Sequence, residues 1–213
     1  MARPKTPLLS KMKIAEAALK VIDEQGEHAY TLGNVARTLN VKTSSLYNHI
    51  KSKDELTELV RALVTRPINS SFFLEMPWDQ ALIEWARSYI HALAAHPNTI
   101  KLLATRPVSA PVALFMYEGV VRGFLDAGWP LELTATRITA VESFLVGSAI
   151  DMVAPEIMID TSTLRDEVPL LKKSIELNPT KSLRAQTAFE IGISAIAAGF
   201  KKELEILKNQ NSK

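Results

Sequence analysis

Along almost the whole chain, apolar residues recur at intervals of three and four, the period of a helix buried on one face. Residues 10–25 put Ile14, Ala15, Ala18, Leu19, Val21 and Ile22 on one stripe, and Gly26 marks its stop. Thr31 is suited to cap a second helix that buries Val35, Ala36 and Leu39. Asn40 and Val41 form a tight turn, because asparagine tolerates the left-handed conformation that ends many helices. A third helix is predicted over 42–49. Ser52, Lys53, Asp54 and Glu55 read as a capping box that opens a fourth, running to the Arg66-Pro67 step.

The helical period continues over 78–95, stopped before Pro97, then through a short helix ending at Leu103. Pro107 and Pro111 bracket a loop, and the next helix ends at Asp126 ahead of Gly128 and Pro130. Long helices are predicted over 131–153 and 181–208, with a weaker connection at 155–180 holding one short helix within 163–177. Neither an alternating strand pair nor an Asn-Gly hairpin interrupts the pattern. The fold class expected is all-α.

Composition narrows the function. Apolar residues make up 47% of the 213, which permits a sizeable core and argues against global disorder. The chain has no cysteine, which removes disulfides, thiolate metal sites and a thiol nucleophile, and suits a reducing cytoplasm. The basic stretch MARPKTPLLSKMK lacks the apolar run of a signal peptide. The apolar stretch 138–154 is broken by Glu142 and Asp151 and falls short of the ~20 residues of a membrane span, so a soluble protein is expected. Net charge is +2, unevenly spread: nine Lys/Arg stand against six Asp/Glu up to Glu55, and sixteen against seventeen beyond it. A basic module on a neutral body points to phosphate as partner.

The segment TLGNVARTLNVKTSSLYNHIKSKDEL, residues 31–56, sharpens that reading. Two short helices across a three-residue turn have the geometry of a helix-turn-helix, whose second helix enters the major groove. Val41, Leu46 and Ile50 face inward, leaving Lys42, Thr43, Ser44, Ser45, Tyr47, Asn48 and His49 for phosphates and base edges. A solvated helical hairpin with no partner fits the spacing as well.

The same residues resemble the N-terminal domain of the tetracycline-repressor family of transcriptional regulators: a Thr opening helix two, an apolar-Ala pair, and Leu-Tyr-x-His-apolar ahead of Lys-x-Glu-Leu. HPNTIKLLATRP and AVESFLVGSAIDMVAPE are similar to segments of that family's effector domain. The resemblance implies a helix-turn-helix domain over 1–60 and a helical effector-binding and dimerisation domain over 61–213. It implies Thr31 and Tyr47 as phosphate partners, Lys42, Thr43, Ser44 and Ser45 at the groove, and His49 and Lys53 on the backbone nearby. Where tetracycline repressors carry a guanine-reading arginine, this chain has Gly33 and Asn34, so its operator should differ there.

A two-fold dimer is expected to join two such heads across two half-sites. The dimer surface is expected on the long helices over 131–153 and 181–208, which the resemblance implies form a four-helix bundle with a partner's; in the latter the stripe Phe189, Ile193, Ile196 and Phe200 and the small-residue face Ala188, Gly192, Ala195 and Gly199 are candidates. A wall of the domain's own core explains the stripe equally. The resemblance also implies an internal effector pocket. On its motif the metal-binding histidine falls on Leu102, and the antibiotic-gripping positions on Asn69, Trp85 and Val120; Thr105 and Asp151 alone survive in kind. Leucine cannot ligate Mg²⁺. The expected effector is therefore hydrophobic or aromatic, with Trp85, Tyr89, Leu102, Met116, Val120 and Phe144 as walls unless they are ordinary core. Asp151, in an apolar helix, needs a partner such as Arg106, Arg137 or a ligand amine. No cofactor, metal site or catalytic motif is expected: the four histidines include no ligand-spaced pair, and HExxH, GxSxG and phosphate-loop patterns are missing. Two rivals stay open, a regulator that needs no ligand and a protein-interaction module tethered to DNA.

Overall fold

The computed structural model describes residues 9–164, 167–178 and 183–211. Among them the secondary structure is helical: α1 Lys11–Gln25, α2 Leu32–Thr38, α3 Thr43–Leu46, α4 Lys53–Thr65, α5 Phe72–Glu75, α6 Trp78–Ala94, α7 Ile100–Ala104, α8 Pro111–Asp126, α9 Leu131–Met152, α10 Pro169–Glu176 and α11 Arg184–Asn211. The all-α expectation holds. Lys181, where the last helix was expected to start, lies outside the described residues.

Local chemistry sets the boundaries of the first four helices. Ser10 and Thr31 cap α1 and α2, accepting from the amides of Lys13 and Asn34 at 3.3 and 3.2 Å. Gly26, at φ 82°, ends α1, and Asn40, at φ 53°, is a non-glycine residue holding the left-handed conformation of the α2–α3 turn. Ser52 Oγ accepts from Glu55 N at 3.1 Å, while the Glu55 carboxylate reaches back to Lys51 N at 2.6 Å, one residue before the cap. α3 is shorter than the predicted 42–49, since 47–49 form turns and the amides of His49 and Ile50 both donate to Leu46 O. Ile14, Ala18, Ile22, Val35, Leu46, Ile50, Leu56 and Val60 interlock as one core.

The larger body packs α6 against α9 and α11, and α8 against α9. An aromatic group of Phe73, Trp78, Phe124, Trp129 and Phe200 fills its far end, with ring centroids 5.7–6.5 Å apart. α5 was not foreseen. It fits because Gly119 and Gly123 of α8 leave no side chain in its path: a Cβ at Gly123 would stand 2.3 Å from the Phe73 ring.

α4 belongs to both parts, packing against α1 on one side and against α6 and α8 on the other. A second tie joins α1 to the body: His96 Nδ1 lies 2.9 Å from Asp23 Oδ2, and Asn98 Nδ2 donates to Asp23 O at 3.0 Å.

Candidate functional site

Two surfaces stand out, one at each end of α4. At the first, α3 presents Lys42, Thr43, Ser44 and the half-exposed Ser45 around the buried Leu46, followed by an exposed Tyr47 and a half-buried His49. Leu46 and Ile50 anchor this short rod, and Val41 is partly buried beside them. Lys53 lies over the Tyr30 ring, 4.6 Å from its centroid. Tyr30 bonds Thr57 at 3.1 Å, and burial pushes its phenol up to about 12. Thr31 is exposed with its oxygen engaged in the cap.

The Gly33-Asn34 departure acquires a structural role here. Asn34 donates to Ala29 O at 2.7 Å and accepts from Arg37 Nη1 at 2.9 Å, so it braces the corner before α2 and orients an exposed arginine. Arg37 and Asn40 share a shallow notch with Lys42 and Thr43. Arg37 sits on the first helix of the motif, outside the stretch 42–49 expected to face DNA. A Cβ at Gly33 would meet just Thr31 Oγ1, at 3.9 Å, and nothing in the structure explains the glycine.

At the other end of α4 lies a cavity of about 360 Å³ between α4, α6, α7, α8 and α9. Its apolar walls include Leu93, Ile100, Leu103, Val108 and Val146; its polar groups include Arg61, Tyr89, Tyr117 and Glu142. Glu142 of α9 accepts from Tyr89 of α6 at 3.1 Å and from Tyr117 of α8. Burial and the adjacent carboxylate hold both phenols well above the ordinary tyrosine range, so they stay protonated donors.

Arg61, a cavity wall, is also a clamp. It is 5% exposed, donates to Glu58 at 2.9 Å, and reaches the carbonyls of Leu103, Arg106 and Pro107 at 3.0, 3.1 and 3.4 Å. Glu58 accepts from the amides of Ser109 and Ala110 at 2.6 and 2.7 Å, gripping the start of α8. Arg106 pairs with Asp54 at 3.1 Å. α4 is thus fastened to the loop between α7 and α8 by three separate side chains.

Of the nine residues expected to meet a ligand, the cavity brings in Tyr89. Trp85, Leu102, Met116 and Val120 are instead core: Trp85 Nε1 donates to Met116 Sδ at 3.2 Å, and Leu102 and Val120 are 1% and 0% exposed. Asn69 and Thr105 are exposed and serve local turns, Asn69 accepting from Ser71 N and Thr105 donating to Lys101 O. Phe144 stacks on Phe189, 6.0 Å between centroids. Asp151 has a partner that was not foreseen, Arg184, which contacts both carboxylate oxygens at 2.7 and 2.9 Å. Arg106 and Arg137 are taken by Asp54 and Glu203. Glu142 showed in the sequence as a break in an apolar stretch, but nothing local linked it to Tyr117 or Arg61, because single polar residues on separate helices carry no spacing signal.

The Phe189 stripe also lands differently from its reading as a dimer surface. Phe189 and Ile193 are buried in the subunit's own core, and Ile196 and Phe200 pack against it. Gly192 lets that core close, since a Cβ there would stand 2.5 Å from the Phe144 ring. Gly199 faces open space, as does Gly147 of α9.

The architecture is thus a helix-turn-helix head joined through a shared helix to a helical body with a half-open cavity, the build of a DNA-binding protein. The chain belongs to the tetracycline-repressor family: residues 14–60 match the family described as bacterial regulatory proteins, tetR family, and residues 74–204 match the tetracyclin repressor-like C-terminal domain. Proteins of this family are DNA-binding transcription factors, not enzymes. The class E tetracycline repressor of Escherichia coli is 24% identical over 204 residues, spanning 94% of this chain and 95% of that protein. The repressor DrrR1 of Streptomyces coeruleorubidus is 26% identical over 179 residues, 81% of this chain and 66% of that protein. The fold is shared with ActR of Streptomyces coelicolor in complex with actinorhodin, at TM-score 0.76 and 22% identity over 93% of this chain and 99% of that one. It is shared too with TetR of Acinetobacter baumannii AYE, at TM-score 0.68 and 23% identity over 92% and 98%. Among the described residues, no helix is long and apolar enough to cross a membrane.

Proposed function

We propose that this chain is a cytoplasmic, ligand-responsive repressor that binds a palindromic operator as a homodimer and releases it when a hydrophobic or aromatic molecule enters the cavity. Residues 1–60 serve as the DNA-reading head and 61–213 as the effector and dimerisation body. Lys42, Thr43, Ser44 and Ser45 meet the groove, and Thr31, Tyr47, His49 and Lys53 the phosphates. Arg37 joins them from the notch it shares with Lys42 and Thr43.

The observation that carries this reading is Arg61. One side chain lines the cavity and fastens α4 to the loop between α7 and α8. A ligand that alters this wall has a direct mechanical hold on the helix leading to the DNA head, and differential affinity for two positions of α4 is what coupling requires. ActR with actinorhodin is a precedent for a small molecule held by this fold. A tetracycline–magnesium complex fits poorly. The described residues around the cavity include one carboxylate and no imidazole, and the position of the metal-binding histidine is a leucine in the core.

The exposed faces of α9 and α11 support dimerisation. Thr136, Ala140, Ser143, Gly147 and Ile150 recur at heptad spacing on α9, all exposed, as do Ala188, Ile191, Ala195, Ala198 and Lys202 on α11. These two stripes of small and apolar residues leave room for close approach of a partner's helices. The expected surface thus moves from the inner stripe to the outer one.

The test combines sedimentation, selection of bound genomic fragments and fluorescence anisotropy. A dimer that retains a selected fragment and loses it to an aromatic compound is expected. Val146→Trp, which fills the cavity, should retain the fragment and ignore the compound. A monomer that binds no fragment overturns the proposal.

A further inference from the structure

Most of the polar side chains lining the cavity are engaged with other groups of the described residues. Thr65, Thr139 and Ser143 direct their hydroxyls to backbone carbonyls of their own helices, to Arg61 O, Ala135 O and Thr139 O. The Arg61 guanidinium bonds Glu58 and three carbonyls, and Arg106 turns to Asp54. Tyr89 and Tyr117 both donate to the same oxygen of Glu142, Oε1. Glu142 Oε2 makes no hydrogen bond among the described residues and lines the cavity. A carboxylate has room for about four donors, so an oxygen that no protein group occupies is open to a donor brought by a ligand.

Charge points the same way. Glu142 is the one carboxylate among the described lining residues, and both lining arginines are matched by carboxylates that lie outside that wall, Glu58 and Asp54. Among the described residues lining the cavity, Glu142 is thus the one charged side chain without an ion-pair partner. Its remaining walls, from Leu93 and Ile100 to Val108 and Val146, are apolar. At about 360 Å³ the space sits near the small end of ligand pockets, ~300–1,000 Å³, and suits a body of two or three fused rings.

Resting on the cavity reading above, we infer that the effector is an apolar amine whose ammonium group pairs with Glu142 Oε2. A neutral donor can occupy the same oxygen, but a charge-assisted bond is roughly twice as strong, so the site selects for cations. The pairing also reaches three helices together, because Tyr89, Tyr117 and Glu142 tie α6, α8 and α9. The start of α8 is the segment held by Glu58 of α4. An ammonium drawn to Glu142 thus acts one step away from the grip on the DNA head.

Calorimetry on the full chain with naphthylmethylamine, naphthalenemethanol and naphthoate, which share a ring system and differ in charge, separates the outcomes. The amine is expected to bind at least tenfold more tightly than the alcohol, and the carboxylate more weakly than either. Glu142→Gln should abolish the preference, bringing amine and alcohol to within about twofold of each other. Tyr117→Phe, which keeps the carboxylate, should preserve the preference and stands in if the first variant fails to fold. Alcohol or carboxylate binding as tightly as the amine overturns the inference while leaving the cavity a ligand site. If none of the three binds, the cavity reading and this inference fall together.

Discussion

Arg61→Met removes a buried guanidinium while keeping an apolar stem of similar length, and its cost can be worked from the contacts. Two bonds to carbonyls at 3.0 and 3.1 Å and one to the Glu58 carboxylate at 2.9 Å are lost, with a weaker contact at 3.4 Å. Hydrogen bonds to charged groups are worth ~1.5–3 kcal/mol each in net terms, and breaking a buried pair by removing one partner costs ~3–5 kcal/mol. Glu58 retains the Ser109 and Ala110 amides, so it is not orphaned, and the side chains of the pair are 6% and 16% exposed. Separate bond values are not additive within one side chain, so the buried-pair figure sets the expected loss, about 3–5 kcal/mol, a large share of the ~5–15 kcal/mol typical of a domain. Urea unfolding followed by circular dichroism measures it. Arg61→Lys should recover less than half, because a point charge on a flexible stem cannot span the Leu103 and Arg106 carbonyls together. A loss below about 1 kcal/mol for the methionine variant, or full recovery by lysine, would refute the clamp.

Three further outcomes are expected. Tyr47→Phe and Thr43→Ala should weaken binding to a selected DNA fragment without lowering thermal stability, and Lys53→Ala should reduce the slope of log affinity against log salt by about one; gel-shift titrations over a salt series check all three. Gly192→Ala should destabilise the subunit by about 1–3 kcal/mol, since its methyl would stand 2.5 Å from the Phe144 ring, whereas Gly199→Ala, with open space in mid-helix, should raise a dilute subunit's stability by about 0.5–1 kcal/mol in denaturant titrations. Glu58 supplies an acid limit. Burial raises its carboxyl, but hydrogen bonds from Ser109, Arg61 and Ala110 outweigh that and hold it below its ordinary value. A folded value below the unfolded one, ~4.3, means stability that is full above about pH 5 and lost as pH falls through the folded value. Glu58→Gln should flatten that part of the stability–pH curve measured by urea titration.

What the sequence disclosed and what it withheld divide along physical lines. Caps, stops and buried stripes are local, so Thr31, Gly26 and Asn40 could be read directly, and the structure places them as expected. Burial on the outer helices is not local. Phe189 and Ile193 look identical in sequence whether they face a partner or their own core, and the cation selected by Asp151 depended on which arginine the fold delivered, Arg184. The cavity was harder still. Its polar groups Arg61, Tyr89, Tyr117 and Glu142 come from four helices far apart in the chain, while aligned family positions such as Leu102 and Val120 are core.

The sharing of α4 has a practical consequence for anyone exchanging heads between regulators of this build. A splice at residue 60 would sever the grip of Glu58 from that of Arg61 and leave Asp54 facing a foreign body. Cutting ahead of Ser52 keeps all three residues with the loop they hold. The graft must then supply, on its own α1, an acid to meet His96, as Asp23 does here.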